Sequence, residues 1–197
     1  MRGEAVNSSL VAAGIGLLSG LIGGVFGPPL RDRLFYHPAL SLRFDPNDGQ
    51  CIAEASETRW ARLAVKNSGK IHLKECQALV TKIEQERNGI WEHTDPQFIE
   101  PLVLEWAAMP DEVKYKPQQI PQKIELYANF LASSATSDGK NKLQLSVYHL
   151  PDRLKDIFAE YRRYQLTITV TGDQVKPKTE RIIVNWTGNW RFDTSRG

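Results

Sequence analysis

The side chains able to do chemistry are few and far apart. His37, His72, His93 and His149 lie in four separate segments, with no His-x-x-x-His or Glu-x-x-His spacing among them. Metal-assisted hydrolysis needs such pairs on one face of an element, so the sequence implies no metal site. Cys51 and Cys76 are 25 residues apart. They read as buried free thiols, with a disulfide expected only if the domain is exported. The run Asp45-Pro46-Asn47-Asp48-Gly49 has the flavour of a calcium loop. Its glycine falls one position early and no glutamate closes the loop, so a plain turn is expected. Phosphate-cradling and nucleophile-elbow motifs are absent, and the glycines at 14 and 16 sit inside an apolar run. The sequence therefore implies no catalytic residue, no cofactor and no enzyme.

Two basic spots carry aromatics or proline: Tyr161-Arg162-Arg163-Tyr164 and Lys176-Pro177-Lys178. Interleaved aromatics can stack on bases. However, 25 Lys+Arg against 23 Asp+Glu leave a net charge of only +2 over 197 residues. That balance argues against nucleic acid as a partner, and both spots read as solvated strand edges. Trp186, Trp190 and Phe192 cluster near the end; Trp186 is assigned to the core, the other two to the core or a contact patch.

The elements that position these residues fall into two kinds. From Ala5 to Leu30 no residue is charged, a run of 26. Its apolar centre, residues 10–27, would span about 27 Å as a helix, close to the roughly 30 Å hydrocarbon core of a bilayer. A cleaved leader would want a basic start and a small-x-small site. Here Arg2 is offset by Glu4, and Pro28-Pro29 follow the apolar run. An uncleaved transmembrane anchor is the expectation.

On a helical wheel Ala12, Ala13, Gly16, Gly20, Gly23, Gly24 and Gly27 share an arc of about 120°, while the bulky residues fill the other side. Such a face allows close helix approach, so Ala12, Gly16, Gly20, Gly23, Gly24 and Gly27 are the expected helix-packing residues of a homo-oligomer. Residues 1–30 thus form a tail and transmembrane helix, and 31–38 an interfacial linker with Arg31, Arg33, Phe35 and Tyr36. The excess of arginine after the span favours an inner-membrane, single-pass protein with its C-terminal part in the cytoplasm.

Residues 39–197 alternate with the period of strands. Tyr164, Leu166, Ile168 and Val170 point one way and Gln165, Thr167, Thr169 and Thr171 the other. The same pattern gives inward rows Ile182/Val184/Trp186, Ile124/Leu126/Ala128/Phe130, Leu143/Leu145/Val147, Ala61/Leu63/Val65 and Cys76/Ala78/Val80. Residues 40–44 and 102–106 supply shorter candidates, and 151–160 shows only a turn or two of helix. The expected fold class is all-β: an antiparallel β-sandwich of about eight strands, with a small barrel as the alternative.

The run Trp60-Ala-Arg-Leu-Ala-Val-Lys-Asn-Ser-Gly-Lys70, followed by Cys76-Gln-Ala-Leu-Val80 and Leu104-Glu-Trp106, resembles the immunoglobulin-like domain of small membrane-anchored bacterial proteins. In that group a strand ends in Asn-x-Gly and the next carries a buried cysteine. The resemblance covers about 50 residues well; it implies an immunoglobulin-like sandwich and no chemistry. The functional expectation is a membrane-anchored, non-catalytic module that binds a protein partner. The alternative is a membrane sensor-effector whose glycine-faced helices oligomerise in the bilayer.

Overall fold

A computed structural model describes residues 38–95, 100–135, 141–160, 162–189 and 191–197. The expected transmembrane helix with Ala12, Gly16, Gly20, Gly23, Gly24 and Gly27 lies outside the described residues, as do His37, Tyr161 and Trp190. Among the described residues no helix is long and apolar enough to cross a membrane.

The described strands, in chain order, are β1 Leu40–Arg43, β2 Ile52–Ala55, β3 Thr58–Asn67, β4 Leu73–Arg87, β5 Ile90–His93, β6 Leu102–Val103, β7 Glu105–Trp106, β8 Gln118–Ile120, β9 Glu125–Ser134, β10 Lys142–Leu145, β11 Arg163–Gly172, β12 Val175–Asn185 and β13 Asp193–Arg196. Every pairing is antiparallel. They form two sheets. In the first, β1 and β2 lie end to end along one edge of β3, β3 pairs with β9, and β10 and β7 lie end to end along the far edge of β9. In the second the order is β13-β12-β11-β4, and β5, β6 and β8 share the remaining edge of the 15-residue β4. The described residues form an all-β antiparallel two-sheet sandwich, and its strand order is compatible with the immunoglobulin-like arrangement.

The inward rows are as the alternation requires. Tyr164, Leu166, Ile168, Val170, Ile182, Val184, Trp186, Cys76, Ala78, Val80, Ala61, Leu63, Val65, Leu143 and Leu145 are all buried. Phe44, which follows β1, and Phe130 of β9, both from the first sheet's side, meet edge to face at 5.6 Å in the core. Phe158 meets Tyr164 likewise at 4.9 Å, so the short 151–160 segment, helical only as a 3-10 turn over Asp152–Leu154, caps one end of the core with Leu154 and Phe158.

Three readings of the alternation need correction. First, about eight strands become thirteen among the described residues, because the long strands β3, β4 and β9 are each paired along an edge by two or three short pieces that periodicity alone merges or passes over. Second, residues 102–106 are not one strand. Val103 pairs with Leu79 in the second sheet, Glu105 pairs with Asn129 in the first, and Leu104 bridges Val147 between them. The chain crosses from sheet to sheet here and closes that side of the sandwich. Third, Ile124 is 46% exposed rather than inward, and Asn129, on the polar side of β9, is buried.

Two side chains tie the framework. Asn67, fully buried at the end of β3, donates through Nδ2 to Ile71 O at 2.7 Å and to Ile120 O at 2.9 Å, while its Oδ1 accepts from Gly69 N–H at 2.9 Å. All three side-chain bonds of the Asn-x-Gly turn are thus satisfied inside the protein, and one of them joins the two sheets. Tyr164, at the start of β11, donates its hydroxyl to Glu160 O at 2.8 Å, four residues upstream. That bond fastens the corner leading into β11, in the manner of the tyrosine corner of immunoglobulin-like sandwiches.

Candidate binding surface

On the outer face of the first sheet, β3 presents Trp60, Arg62 and Lys66, with a fully buried Ala64 between the last two, since Ala61, Leu63 and Val65 take the core side. The register puts Arg62 opposite Asn129 on β9, and Asn129 opposite Glu105 on β7. A shift of register between Ala61 and Arg62 sets this alignment. Three strands therefore supply one row, which continues into the loop after β7. That loop is pinned by Trp106 N–H donating to Lys114 O at 2.7 Å, which brings Lys114 and Tyr115 beside Glu105.

The row is a chain of bonds. Arg62 Nε donates to Asn129 Oδ1 at 2.9 Å, and Asn129 Nδ2 donates to Glu105 Oε1 at 3.2 Å. Glu105 Oε2 accepts from the Tyr115 hydroxyl at 3.3 Å, with Lys114 Nζ at 3.9 Å. The row is flanked by aromatic rings. The Arg62 guanidinium lies over Trp60, 5.9 Å from its centroid, and Tyr115 packs against Tyr148 at 5.3 Å. Alongside, Arg43 pairs with Asp48 at 2.6 Å and Glu125 at 3.2 Å, and Tyr127 donates to Glu125 at 2.6 Å.

Burial and hydrogen bonding shape these groups. Burial pulls the Arg62 guanidinium below its ordinary value, against the opposing pull of Glu105. Burial, with Glu105 beside it, pushes Tyr115 up. The hydrogen bond to Glu125, then burial, push Tyr127 up to about 12. Asp48 is held low by the Gln50 N–H and by Arg43.

The residues singled out in the sequence are not brought together. His72, His93 and His149 are exposed, and His72 meets Gln119 at 3.0 Å. Among the described residues no cluster of His, Cys, Asp and Glu could hold a metal ion. In the 45–49 loop Asp45 Oδ1 accepts from Asn47 N–H and Asp48 Oδ1 from Gln50 N–H, so the carboxylates are spent on turns and on Arg43. This is the plain turn expected.

Cys51 and Cys76 are free and fully buried. Burial pushes both thiols up, Cys76 to about 11, so neither is an activated nucleophile. Arg163 pairs with Glu86 at 2.6 Å and stacks on Trp91 at 5.7 Å, and Arg162 pairs with Glu160 at 2.5 Å. Beside them, Glu86, Arg87, Asn88 and Arg162 line an open depression of about 510 Å³. Lys176 and Lys178 are exposed on β12. Trp186 and Phe192 belong to the core.

The Arg62 row was missed by reading motifs, because its members are 62, 105, 115 and 129 in sequence and only register joins them. One signal was available: Trp60, on the polar side of an alternating strand, is a large apolar ring where a solvated side chain is the rule.

Comparison of the chain with protein-family models, with curated proteins and with solved structures gave no match in any of the three.

Proposed function

We propose that the chain is a membrane-anchored immunoglobulin-like β-sandwich that binds a protein partner and catalyses no reaction. The observation that carries this reading is the bonded row Arg62–Asn129–Glu105–Tyr115, held by three strands and flanked by Trp60 and by the Tyr115–Tyr148 pair. Interface centres favour such rigid aromatic and arginine groups. The immunoglobulin-like assignment is supported by the strand order and by the Tyr164–Glu160 corner. The anchor is supported by the uncharged run 5–30, and a cytoplasmic, inner-membrane placement by the arginines after it.

The test has two arms. Full-length protein should stay in the membrane pellet through carbonate extraction. A photo-crosslinker at position 66 or 148 should join the chain to one discrete protein in cells, whereas one at position 181, on the opposite sheet, should not. Full-length protein in the soluble fraction sinks the anchor. Equal labelling from both faces, or from neither, sinks the binding module.

The small-residue arc Ala12–Gly16–Gly20–Gly24 favours a second reading, in which the sandwich senses a signal and the helices associate in the bilayer. Gly20→Ile should then weaken self-association in membranes by about 1–3 kcal/mol, and Leu21→Ile should change little. Equal behaviour of the two variants removes this reading.

A further inference from the structure

Cations on the outer face of the first sheet are not all treated alike. Arg43 has Asp48 at 2.6 Å and Glu125 at 3.2 Å, and Lys114 has Asp111 at 3.0 Å and Glu105 at 3.9 Å. Arg62 spends Nε on an amide oxygen, Asn129 Oδ1. Among the described residues no carboxylate lies within ion-pair distance of it, and its two terminal amino groups donate to no side chain or backbone oxygen. Glu105, the nearest candidate, is occupied by Asn129, Tyr115 and Lys114. A half-buried guanidinium has lost part of its hydration, so an acceptor placed there is worth more than at a solvated arginine.

We propose that the terminal amino groups of Arg62 are the docking point for a single carboxylate presented by the protein partner. This rests on the binding-module reading and deepens it. The two amino groups form a planar pair of donors matched to the two oxygens of a carboxylate. The group is restrained twice: by the Trp60 ring, 5.9 Å from its centre, and by Asn129 holding Nε while itself held by Glu105.

A phosphate fits less well. It brings two negative charges to a row that already contains Glu105, whereas one carboxylate matches Arg62, the one half-buried cation without a carboxylate partner among the described residues. Tyr148, 73% exposed and stacked on Tyr115, gives the residues next to that carboxylate an aromatic surface to lie on. The carboxylate can come from an Asp or Glu side chain or from a chain terminus, since the chemistry is shared.

Fluorescence anisotropy with the full-length chain in non-ionic detergent tests this with three labelled peptides. The first alternates Glu and Tyr with both ends blocked. The second alternates Gln and Tyr with a free C-terminal carboxylate. The third is the second with its C-terminus amidated. The first or the second should bind at least tenfold more tightly than the third, and which one binds identifies the source of the carboxylate. Arg62→Lys, which keeps the charge and loses the planar pair, should cost that peptide tenfold or more. Arg163→Lys on the other sheet should cost it less than twofold.

If Arg62→Lys does not fold, the Arg62 side-chain NMR signals of the wild-type chain decide in its place. They must move with the carboxylate peptide and not with the amidated one. Binding unchanged in Arg62→Lys, or three peptides bound alike, or tighter binding of inorganic phosphate than of either carboxylate peptide, overturns the proposal. If peptide binding fails while the face-specific crosslink persists, the Arg62 site falls and the binding module stands. If both fail, the module falls with it.

Discussion

On the outer face of the second sheet, Arg163 meets Glu86 at 2.6 Å and Lys82 meets Glu84 at 2.7 Å. Thr81, Thr169 and Thr179 pass hydroxyl contacts across three strands at 3.1–3.2 Å. The orphan there is a neutral hydroxyl, Thr167 Oγ1. On the outer face of the first sheet the row Arg62–Asn129–Glu105 runs just as far, but it ends in a half-buried cation with donors to spare. Both faces come from strands with the same alternation. On the second, Arg181 stands exposed to water without a carboxylate partner among the described residues; on the first, Arg62 lacks one while half-buried. Cross-strand register, and not composition, makes the difference, because it decides whether an arginine stands opposite a carboxylate or an amide.

One hydrophobic core lies beneath both faces. Trp106, 1% exposed, lies at the point where the chain crosses between sheets. Trp106→Ala should cost roughly 3–5 kcal/mol, the range for emptying a large aromatic site. Denaturant melts with hydrogen exchange should show amides of β3 and of β11 losing protection together. Protection lost on one sheet alone would make the two faces independent, and the contrast between them a coincidence of two units.

Asn67 sharpens the same point at lower cost. Replacing it by Ala leaves Ile71 O, Ile120 O and the Gly69 N–H without their partners. About 2–4 kcal/mol should be lost, since Ile120 is fully buried and water reaches its carbonyl poorly. A loss below about 1 kcal/mol would mean that the turn is not what joins the sheets.

How much of this was legible in the sequence follows the same division. Positions on the core side were readable because burial enforces a strict period of two: residues 164, 166, 168 and 170 form an unbroken buried row. The resemblance picked out Asn67, Gly69 and Cys76, and all three are buried where backbone and core need them. Ile124 failed because it precedes β9, in a turn where Lys123 has positive φ and no sheet face covers the side chain. Asn129 failed because the crossing strand β7 and its loop cover it, which alternation along β9 cannot foresee. The Arg62 row was illegible for the same reason: it exists only once three strands are in register.

The hairpins offer a smaller contrast between the sheets. The β4–β5 turn is Asn88-Gly89, with φ of 52° and 79°, residue types suited to left-handed backbone. The β2–β3 turn, in the first sheet, is Ser56-Glu57, with φ of 45° and 62°. Glutamate in that region is strained. Replacing Ser56-Glu57 with Asn-Gly should raise stability by about 1 kcal/mol, read as a shift in the denaturant midpoint with unchanged slope. No gain would place the strain elsewhere.

The smallest effect belongs to the second face. Arg163 and Glu86 form a short ion pair, but their side chains are 49% and 25% exposed. Water and salt screen such a pair, and holding two long side chains in one geometry costs entropy, so the net contribution is small. Arg163→Gln should therefore cost less than about 0.5 kcal/mol, and less still at high salt. Arg62→Gln should cost more, because it leaves Asn129 Oδ1, on a buried residue, dependent on a poorly placed amide. The order of these two losses separates the two faces. If Arg163 proves the costlier residue, the second face is the one that depends on its arginine, and the charge held in reserve on the first is an ordinary solvated cation.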